Sequence, residues 1–363
     1  MDSRERTFAA LSFTQPDRVP IDFWASRGCR ARLQSATGHD WDTFLDAQDV
    51  DIRYIEGPRY VGPPLAYDAD GVGEDIWGVR RKTVQVGSNG GAEHYKEVVF
   101  SPLAAAQSRE AVETYGHWPA PDWFDYSEIA AQCEAIRARG RIAAFMGDRL
   151  NRIAQLKPAM YLRGTEQIFL DLALNPELAH ALFARIRAFY LEYARRVFEA
   201  ACGKLDLVVT GDDFGAQTGP LLSPRMWEEF LGEGFAAYIA LAHEHDLPVM
   251  HHTCGSVRKL LPCLLDRGLD ILQSLQPEAA AMDAGELKHE YGGALAFQGG
   301  ISIQRTLPFG TPTDVREEVR DTLAALMPGG GYIACTAHNI QADTPPENVN
   351  ALLAAYREFG RYA

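Results

Sequence analysis

Short apolar runs alternate with longer amphipathic stretches along most of this 363-residue chain. The amphipathic stretches are clearest at 165–200 and 224–245, where the spacing of apolar residues is that of helices. The apolar runs are continuous, which is typical of parallel strands covered on both faces. Eight such runs lie at 19–24, 51–56, 141–147, 205–213, 247–255, 269–277, 294–302 and 331–339. The pattern predicts an α/β fold: one distorted (β/α)8 TIM-type barrel domain over residues 1–363, with a doubly wound sheet as the alternative.

One region departs from this alternation. Residues from about 57 to 125 are rich in glycine, proline and aromatic side chains. We interpret them as an N-terminal insertion over the barrel mouth.

Two helix starts are marked in the sequence. Ser223 precedes Pro224 and is a candidate N-cap. Thr344 and Glu347 have the spacing of a capping box.

Composition argues against several classes of function. The 35 Lys and Arg against 49 Asp and Glu give a net charge of −14, and no Lys/Arg run offers nucleic acid a basic face. No stretch has the roughly 20 apolar residues of a membrane span, and the start lacks the pattern of a secretory signal. Six scattered cysteines indicate reduced thiols rather than a disulfide framework. We expect a cytoplasmic protein that binds neither nucleic acid nor membrane, with a homodimer among the assemblies the sequence allows.

Polar side chains stand at the ends of four of the last five apolar runs, where a barrel carries its catalytic groups. They are Asp212 and Asp213, then His251, His252 and Cys254, then Gln273 and Gln276, and finally Cys335 with His338. This repetition predicts a functional site at the carboxyl ends of the strands.

The stretch HHTCG, residues 251–255, suggests a metal site. In an extended segment His252 and Cys254 share one face, while His251 points the other way and is interpreted as structural. Imidazole and thiolate are preferred ligands of Zn²⁺, and Cys335 is the candidate third ligand. Such a set leaves the fourth position open, as in catalytic zinc sites, and His338 or Asp213 can fill it.

The spacing alone also allows the interpretation that these residues are structural and bind no metal. A buried cysteine is often a small apolar side chain, and a histidine at a strand end often bonds a backbone carbonyl. Asp213 is then tied to backbone N–H groups, and His338 holds its loop. With a functional site, Asp213 and His338 are candidate catalytic residues. The candidate substrate-binding residues are Gln217, Gln276, Gln341 and Arg149.

Longer segments resemble the uroporphyrinogen decarboxylase superfamily. The segments are SRERTFAALSFTQPDRVPIDFW near the start, GDDFGAQTGPLLSPRMWEEF in the middle, and the run from HHTCG to TPPENVNAL, with FQGGISIQRTLPFGTPTDVREEV and GGGYIACTAHNIQADTPPENV inside it. The resemblance covers nearly the whole chain and is most specific in its C-terminal half. It implies a single distorted (β/α)8 barrel.

Two branches of that superfamily differ in chemistry. The decarboxylase itself uses no metal and carries an N-terminal R-Q-A-G-R segment whose arginines bind substrate carboxylates. The corresponding stretch here, DFWASRGCRARL, has Arg27 and Arg30 but not the motif. The cobalamin-dependent methyltransferases bind zinc through an H-x-C…C pattern, which His252, Cys254 and Cys335 match. Cys335 lacks the P-G-C setting that is usual for the last cysteine.

The resemblance therefore implies zinc-dependent methyl transfer between a corrinoid and a small methyl donor or thiol acceptor. Because the chain has no D-x-H-x-x-G cobalamin motif, the corrinoid is expected on a separate partner protein. Two alternatives stay open: a metal-free decarboxylase-like carboxy-lyase, and a non-catalytic barrel that binds a corrinoid or tetrapyrrole.

Overall fold

A computed structural model describes residues 1–86, 93–147 and 152–362. Twelve strands form within these residues: β1 (Ile52–Tyr54), β2 (Arg59–Tyr60), β3 (Val72–Glu74), β4 (Arg80–Val86), β5 (Glu93–Phe100), β6 (Phe124–Asp125), β7 (Ile142–Phe145), β8 (Leu207–Gly211), β9 (Val249–His252), β10 (Ile271–Leu275), β11 (Ala296–Ile301) and β12 (Tyr332–Thr336).

The same residues form fifteen α-helices: α1 (Ser3–Leu11), α2 (Arg27–Thr37), α3 (Trp41–Ala47), α4 (Arg109–Glu113), α5 (Ile129–Arg137), α6 (Leu156–Arg163), α7 (Thr165–Leu174), α8 (Pro176–Ala200), α9 (Pro224–Trp227), α10 (Glu233–His243), α11 (Leu261–Asp266), α12 (Ala284–Tyr291), α13 (Thr306–Phe309), α14 (Pro312–Leu326) and α15 (Pro346–Phe359). A π-helical turn over Glu228–Gly232 joins α9 to α10. None of the described helices has the length and apolarity needed to cross a membrane.

Seven parallel strands form the central sheet in the order β1-β7-β8-β9-β10-β11-β12. The segment around Ile21 closes the sheet into a barrel. On one side the N–H of Asp22 donates to the carbonyl of Ala334 at 2.9 Å, and on the other the N–H of Asp51 donates to the carbonyl of Ile21 at 2.8 Å. The predicted TIM-type barrel is confirmed, and its distortion lies at this eighth position, where isolated bridges replace a regular strand.

Side chains fill the barrel interior in layers. One layer is apolar and takes residues from most of the strands, namely Ile52, Ala144, Val209, Met250, Ile271, Ala296 and Ile333. Two residues further along, the same inward face carries Tyr54, Gly211, His252, Gln273, Gln298 and Cys335. The polar side chains of the barrel interior therefore lie toward the carboxyl ends of the strands.

The insertion contains two small antiparallel sheets, β2-β6 and β3-β4-β5. Trp77 anchors it to the barrel by packing on Phe189 and Tyr190 of α8, with ring centroids 5.1 and 5.6 Å apart. The predicted insertion over the mouth is confirmed, because side chains of β5 and of the barrel strands line one cavity.

Of the two predicted helix starts, one is confirmed. Ser223 caps α9, and its Oγ accepts from the N–H of Met226 at 3.3 Å. The capping box of Thr344 and Glu347 is wrong: α15 has Pro345 at the N-cap, and no side chain bonds there.

Candidate metal centre and active site

Three side chains with metal-binding atoms meet at the carboxyl ends of the strands. His252 ends β9, Cys254 lies in the turn that follows, and His338 lies in the loop after β12. Their ligand atoms all lie within 4.8 Å of one another. The Sγ of Cys254 is 3.5 Å from Nε2 of His252, and the two imidazole centroids are 5.2 Å apart. Nitrogen, sulfur and nitrogen donors at this separation suit a tetrahedral zinc ion.

The turn after β9 brings Cys254 back toward His252. Gly255 has φ of +80°, and a Cβ there would lie 2.5 Å from the backbone of Gly215. Only glycine therefore fits this close approach of two backbones. The N–H of Cys254 donates to Oδ1 of Asp213 at 3.2 Å, which holds the turn against the end of β8.

A hydrogen bond sets the orientation of the His252 ring. Its Nδ1 faces Oε1 of Gln273, so that Nε2 points to Cys254 and lies 3.6 Å from Oδ1 of Asp213. Burial, together with the nearby charge of Arg152, holds the pKa of His252 well below its ordinary value. The imidazole is therefore neutral, which is the form that binds a metal.

Asp213 and Cys254 share a polar wall of the site. Burial opposes ionisation of Asp213, but Lys157, whose Nζ lies 2.6 Å from Oδ2, holds the pKa of this carboxyl well below its usual range. Burial and the Asp213 carboxylate raise the pKa of the Cys254 thiol to about 12. The thiol is therefore protonated at neutral pH unless a bound cation stabilises the thiolate.

The structure brings His338, and not Cys335, to the predicted ligands His252 and Cys254. Cys335 is 1% exposed and lies inside the barrel in the same buried cluster as Trp24. Strand β12 ends at Thr336, whose Oγ1 donates to the carbonyl of His338 at 2.7 Å. Because the chain turns there, the residue that reaches the site lies three positions beyond Cys335.

The other predicted site residues have different surroundings. Arg149 lies outside the described residues. Gln217 is exposed, and its backbone carbonyl accepts from Ala280 at 2.8 Å. Gln276 is buried and accepts from the N–H of Gly255 at 2.9 Å, which supports the Cys254 turn. Gln341 accepts from the hydroxyl of Tyr95 at 2.6 Å. None of the three described glutamines lines the cavity over the site.

His251 and Asp212 have structural surroundings. His251 faces outward, stacks on Phe214 with centroids 5.0 Å apart, and bonds Thr210 through Nδ1 at 2.8 Å. Asp212 accepts from three consecutive backbone N–H groups at the start of α6, at 2.6 to 2.9 Å. This buried carboxylate caps the helix that carries Lys157 into the site.

A cavity of about 370 Å³ is lined by two of the three candidate ligand side chains, His252 and His338, and by Asp213. Sequence reasoning missed most of its wall, because those residues are spread over the insertion, helices α6 and α8, strand β8 and two loops and form no motif. The missed lining residues are Tyr95, Glu97, Arg152, Ala154, Lys157, Pro158, Tyr161, Tyr190, Gly211 and Asn339. Gly211 leaves room for Arg152, since a Cβ there would lie 2.6 Å from Cδ of the arginine.

The fold and this site define a TIM-type barrel with a cluster of two histidines and a cysteine at its mouth that could hold a metal ion. The family described as uroporphyrinogen decarboxylase (URO-D) matches residues 154–359, which is more than half of the chain. The protein belongs to this family.

Individual relatives include both branches of the superfamily. A methylated-thiol–coenzyme M methyltransferase of Methanosarcina mazei is 26% identical over 200 residues, covering 55% of this chain and 50% of the relative. A uroporphyrinogen decarboxylase of Psychromonas ingrahamii is 25% identical over 188 residues, covering 51% and 49%. The matched regions thus span about half the length of these relatives. A solved methyltransferase from Methanosarcina mazei shares the fold, with a TM-score of 0.69, 18% identity and 99% coverage of both chains.

Proposed function

We propose that this protein is a zinc-dependent methyltransferase, with zinc held by His252, Cys254 and His338. The observation that carries the proposal is the meeting of three candidate ligand atoms within 4.8 Å, two of them on side chains that line the cavity. Three protein ligands leave one coordination position for a substrate, as in catalytic zinc sites. Among the relatives, the coenzyme M methyltransferase supports methyl transfer.

Bound zinc would supply a Lewis acid that stabilises a thiolate or polarises the heteroatom that carries the methyl group. The chain's own residues prepare that position. Asp213 lies beside His252 and Cys254 and is a candidate fourth ligand or hydrogen-bond acceptor for them. Lys157 keeps Asp213 ionised, and Arg152 lies over the end of β8.

The cavity favours a small methyl donor or thiol acceptor over a porphyrinogen. Its volume is near the lower end for ligand pockets. Its wall within the described residues has two side chains of fixed positive charge, Arg152 and Lys157, and Lys157 is paired with Asp213. Arg30 donates to the carbonyl of Ala25 and stacks on Trp41. Neither Arg30 nor Arg27 lines the cavity for a substrate carboxylate.

The second carrier of the methyl group in this proposal is a corrinoid on a separate protein, which docks at the barrel mouth. The support is the resemblance of the sequence to the cobalamin-dependent branch. Methylcobalamin tests this part directly, because transfer of its methyl group to a thiol releases cob(I)alamin with a distinct absorbance.

Elemental analysis of the purified protein tests the metal site. We expect about one zinc per chain in the natural protein and in Cys335→Ala, and loss of zinc in Cys254→Ala and His338→Ala. The alanine at 335 is the matched control, because it removes a thiol close to the site. Zinc lost in Cys335→Ala and kept in His338→Ala would return the third position to Cys335. A natural protein without zinc, prepared without chelator, would contradict the proposal, and porphyrinogen decarboxylation would be assayed next.

A further inference from the structure

A row of three polar side chains crosses neighbouring strands inside the barrel. Gln273 of β10 pairs in register with His252 of β9 on one side and with Gln298 of β11 on the other. All three are at most 2% exposed. Because adjacent residues in register lie about 5 Å apart on one face, these side chains are direct neighbours.

A carboxylate stands at the end of this row. Nε2 of Gln298 donates to Oδ2 of Asp22 at 2.7 Å. Asp22 is 1% exposed and also accepts from the hydroxyl of Tyr54 at 2.5 Å and from Nε1 of Trp24 at 2.8 Å. An ionised carboxylate only accepts hydrogen bonds. It therefore draws the NH₂ side of the Gln298 amide toward itself and turns Oε1 of that amide away.

Two buried amide atoms between the ends of the row have no partner among the described residues. They are Nε2 of Gln273, a donor, and Oε1 of Gln298, an acceptor. A buried polar atom without a partner costs about 1–3 kcal/mol. Because one atom is a donor and the other an acceptor on paired residues, a single bridging water would satisfy both.

We propose that Asp22, Gln298 and Gln273 form a positioning relay that selects the tautomer of His252. The carboxylate orients the Gln298 amide, which orients the Gln273 amide, and Oε1 of Gln273 accepts the proton on Nδ1 of His252. Nε2 then carries the lone pair that faces Cys254 and His338. The metal-binding part of this inference rests on the proposed function, whereas the tautomer does not.

The relay matters because an inverted Gln273 amide would select the His252 tautomer that cannot bind a metal in the site. Its NH₂ group would donate to Nδ1, the ring proton would move to Nε2, and the nitrogen in the site would no longer bind a metal. These three residues touch no substrate. They act through His252, as hydrogen-bond partners behind metal ligands generally do.

Nitrogen-15 NMR of histidine-labelled, metal-free protein reads the tautomer directly, with His252→Gln to assign the signal. We expect Nδ1 of His252 to be protonated and Nε2 bare in the natural protein. In Gln298→Met, which keeps the volume of the side chain and lies one strand away from His252, we expect a mixture of tautomers. Protonated Nε2 in the natural protein, or an unchanged tautomer in Gln298→Met, overturns the relay.

Zinc affinity, measured by competition with a chromophoric chelator, gives a second readout. We expect the Kd to rise about 10–100-fold in Gln273→Met and by a smaller factor in Gln298→Met. Gln273→Glu keeps an acceptor for Nδ1 and should restore tight binding. Gln155→Met, a buried glutamine outside the row, is the control and should bind as the natural protein does.

The two experiments separate the failure of the relay from that of the proposed function. A natural protein that binds no zinc but shows the expected tautomer contradicts the proposed function and leaves the relay standing. Zinc binding that is equally tight in Gln298→Met and in the natural protein contradicts the relay and leaves the zinc site standing.

Discussion

Gly255 shows how one residue without a side chain determines the position of its neighbour Cys254, a proposed metal ligand. Its φ of +80° is in the left-handed region, and the backbone of Gly215 passes where a Cβ would be. The neighbouring turn contains Gly219, and a Cβ added to this residue would have no atom within 4 Å. The close backbone contact therefore requires glycine at position 255, whereas position 219 has room for a side chain.

Gly255→Ala should therefore destabilise the protein and disturb the metal site. A left-handed non-glycine residue costs roughly 1–2 kcal/mol, and overlap with the Gly215 backbone adds to it. Urea unfolding should show this loss, and zinc content should fall because Cys254 moves. Gly219→Ala should change neither. Equal behaviour of the two variants would mean that the turn adapts without displacing Cys254.

At the scale of single residues the sequence indicates the placement of two of the proposed ligands better than that of the third. The i and i+2 spacing of His252 and Cys254 places both on the side of the site because the strand alternation continues to His252 and the turn follows at once. The strand predicted over 331–339 ends at Thr336 instead. Alternation therefore does not apply to His338, and its approach to the site depends on a loop that spacing does not describe.

At the scale of elements, a buried ion pair ties α6 and α7 to the insertion. Nε of Arg163 lies 2.6 Å from Oδ2 of Asp171, and Nη1 of the arginine donates to the carbonyl of Leu103 at 2.6 Å. Both charged side chains are at most 2% exposed. Removing one charge leaves the other buried without compensation.

Asp171→Asn should lower the free energy of unfolding by about 3–5 kcal/mol. Burial opposes ionisation of Asp171, but hydrogen bonds from Arg163 and Asn175 hold its pKa below the ordinary value. Because the pKa is lower in the folded state, the stability it contributes is present above the unfolded pKa of about 3.9 and is lost as pH falls below it.

Denaturant unfolding at several pH values checks this prediction, with the difference between the natural protein and Asp171→Asn shrinking at acidic pH. The matched control is Glu358→Gln, which removes an exposed ion pair with Arg316 and should leave the midpoint unchanged. A constant difference across the pH range would contradict the assigned pKa direction.

A hydrogen bond between two distant elements holds the insertion over the cavity. The hydroxyl of Tyr95 in β5 donates to Oε1 of Gln341 in the loop after β12 at 2.6 Å. Tyr95→Phe removes a bond of about 1 kcal/mol, which should speed local opening of β5 roughly fivefold. Hydrogen exchange of residues 93–100 measures this. The side chain of Tyr67, in the same insertion, is largely exposed. Tyr67→Phe should therefore leave hydrogen exchange of residues 93–100 unaltered.

Strands and helices were predictable where the spacing of apolar residues determines them, and not where tertiary contacts determine them. The continuous apolar runs predict all seven strands of the central sheet, because burial on both faces requires apolar side chains throughout. The start of α15 was missed because Pro345 takes the N-cap position, one residue beyond the predicted Thr344. The internal sheets of the insertion, β2-β6 and β3-β4-β5, carry no comparable pattern.

At the scale of the whole molecule, the strand order explains why distant residues share a site. His252 and His338 are separated by two strands, β10 and β11, and parallel strands of a barrel end at the same mouth. The alternation of runs predicts this convergence. The cavity wall was not predictable, since its shape depends on how the insertion and α6 pack over the mouth.

Zinc binding should therefore stabilise the entire barrel, because it joins the turn after β9 to the loop after β12. A ligand that binds only the folded state adds about 2.7 kcal/mol at 100 times its Kd. Thermal unfolding with increasing free zinc should show a rising midpoint for the natural protein and for Cys335→Ala. His338→Ala should need a higher zinc concentration for the same rise, and a chelator should return the natural protein to its metal-free midpoint. A midpoint independent of zinc in all three proteins would mean that His252, Cys254 and His338 do not hold the metal.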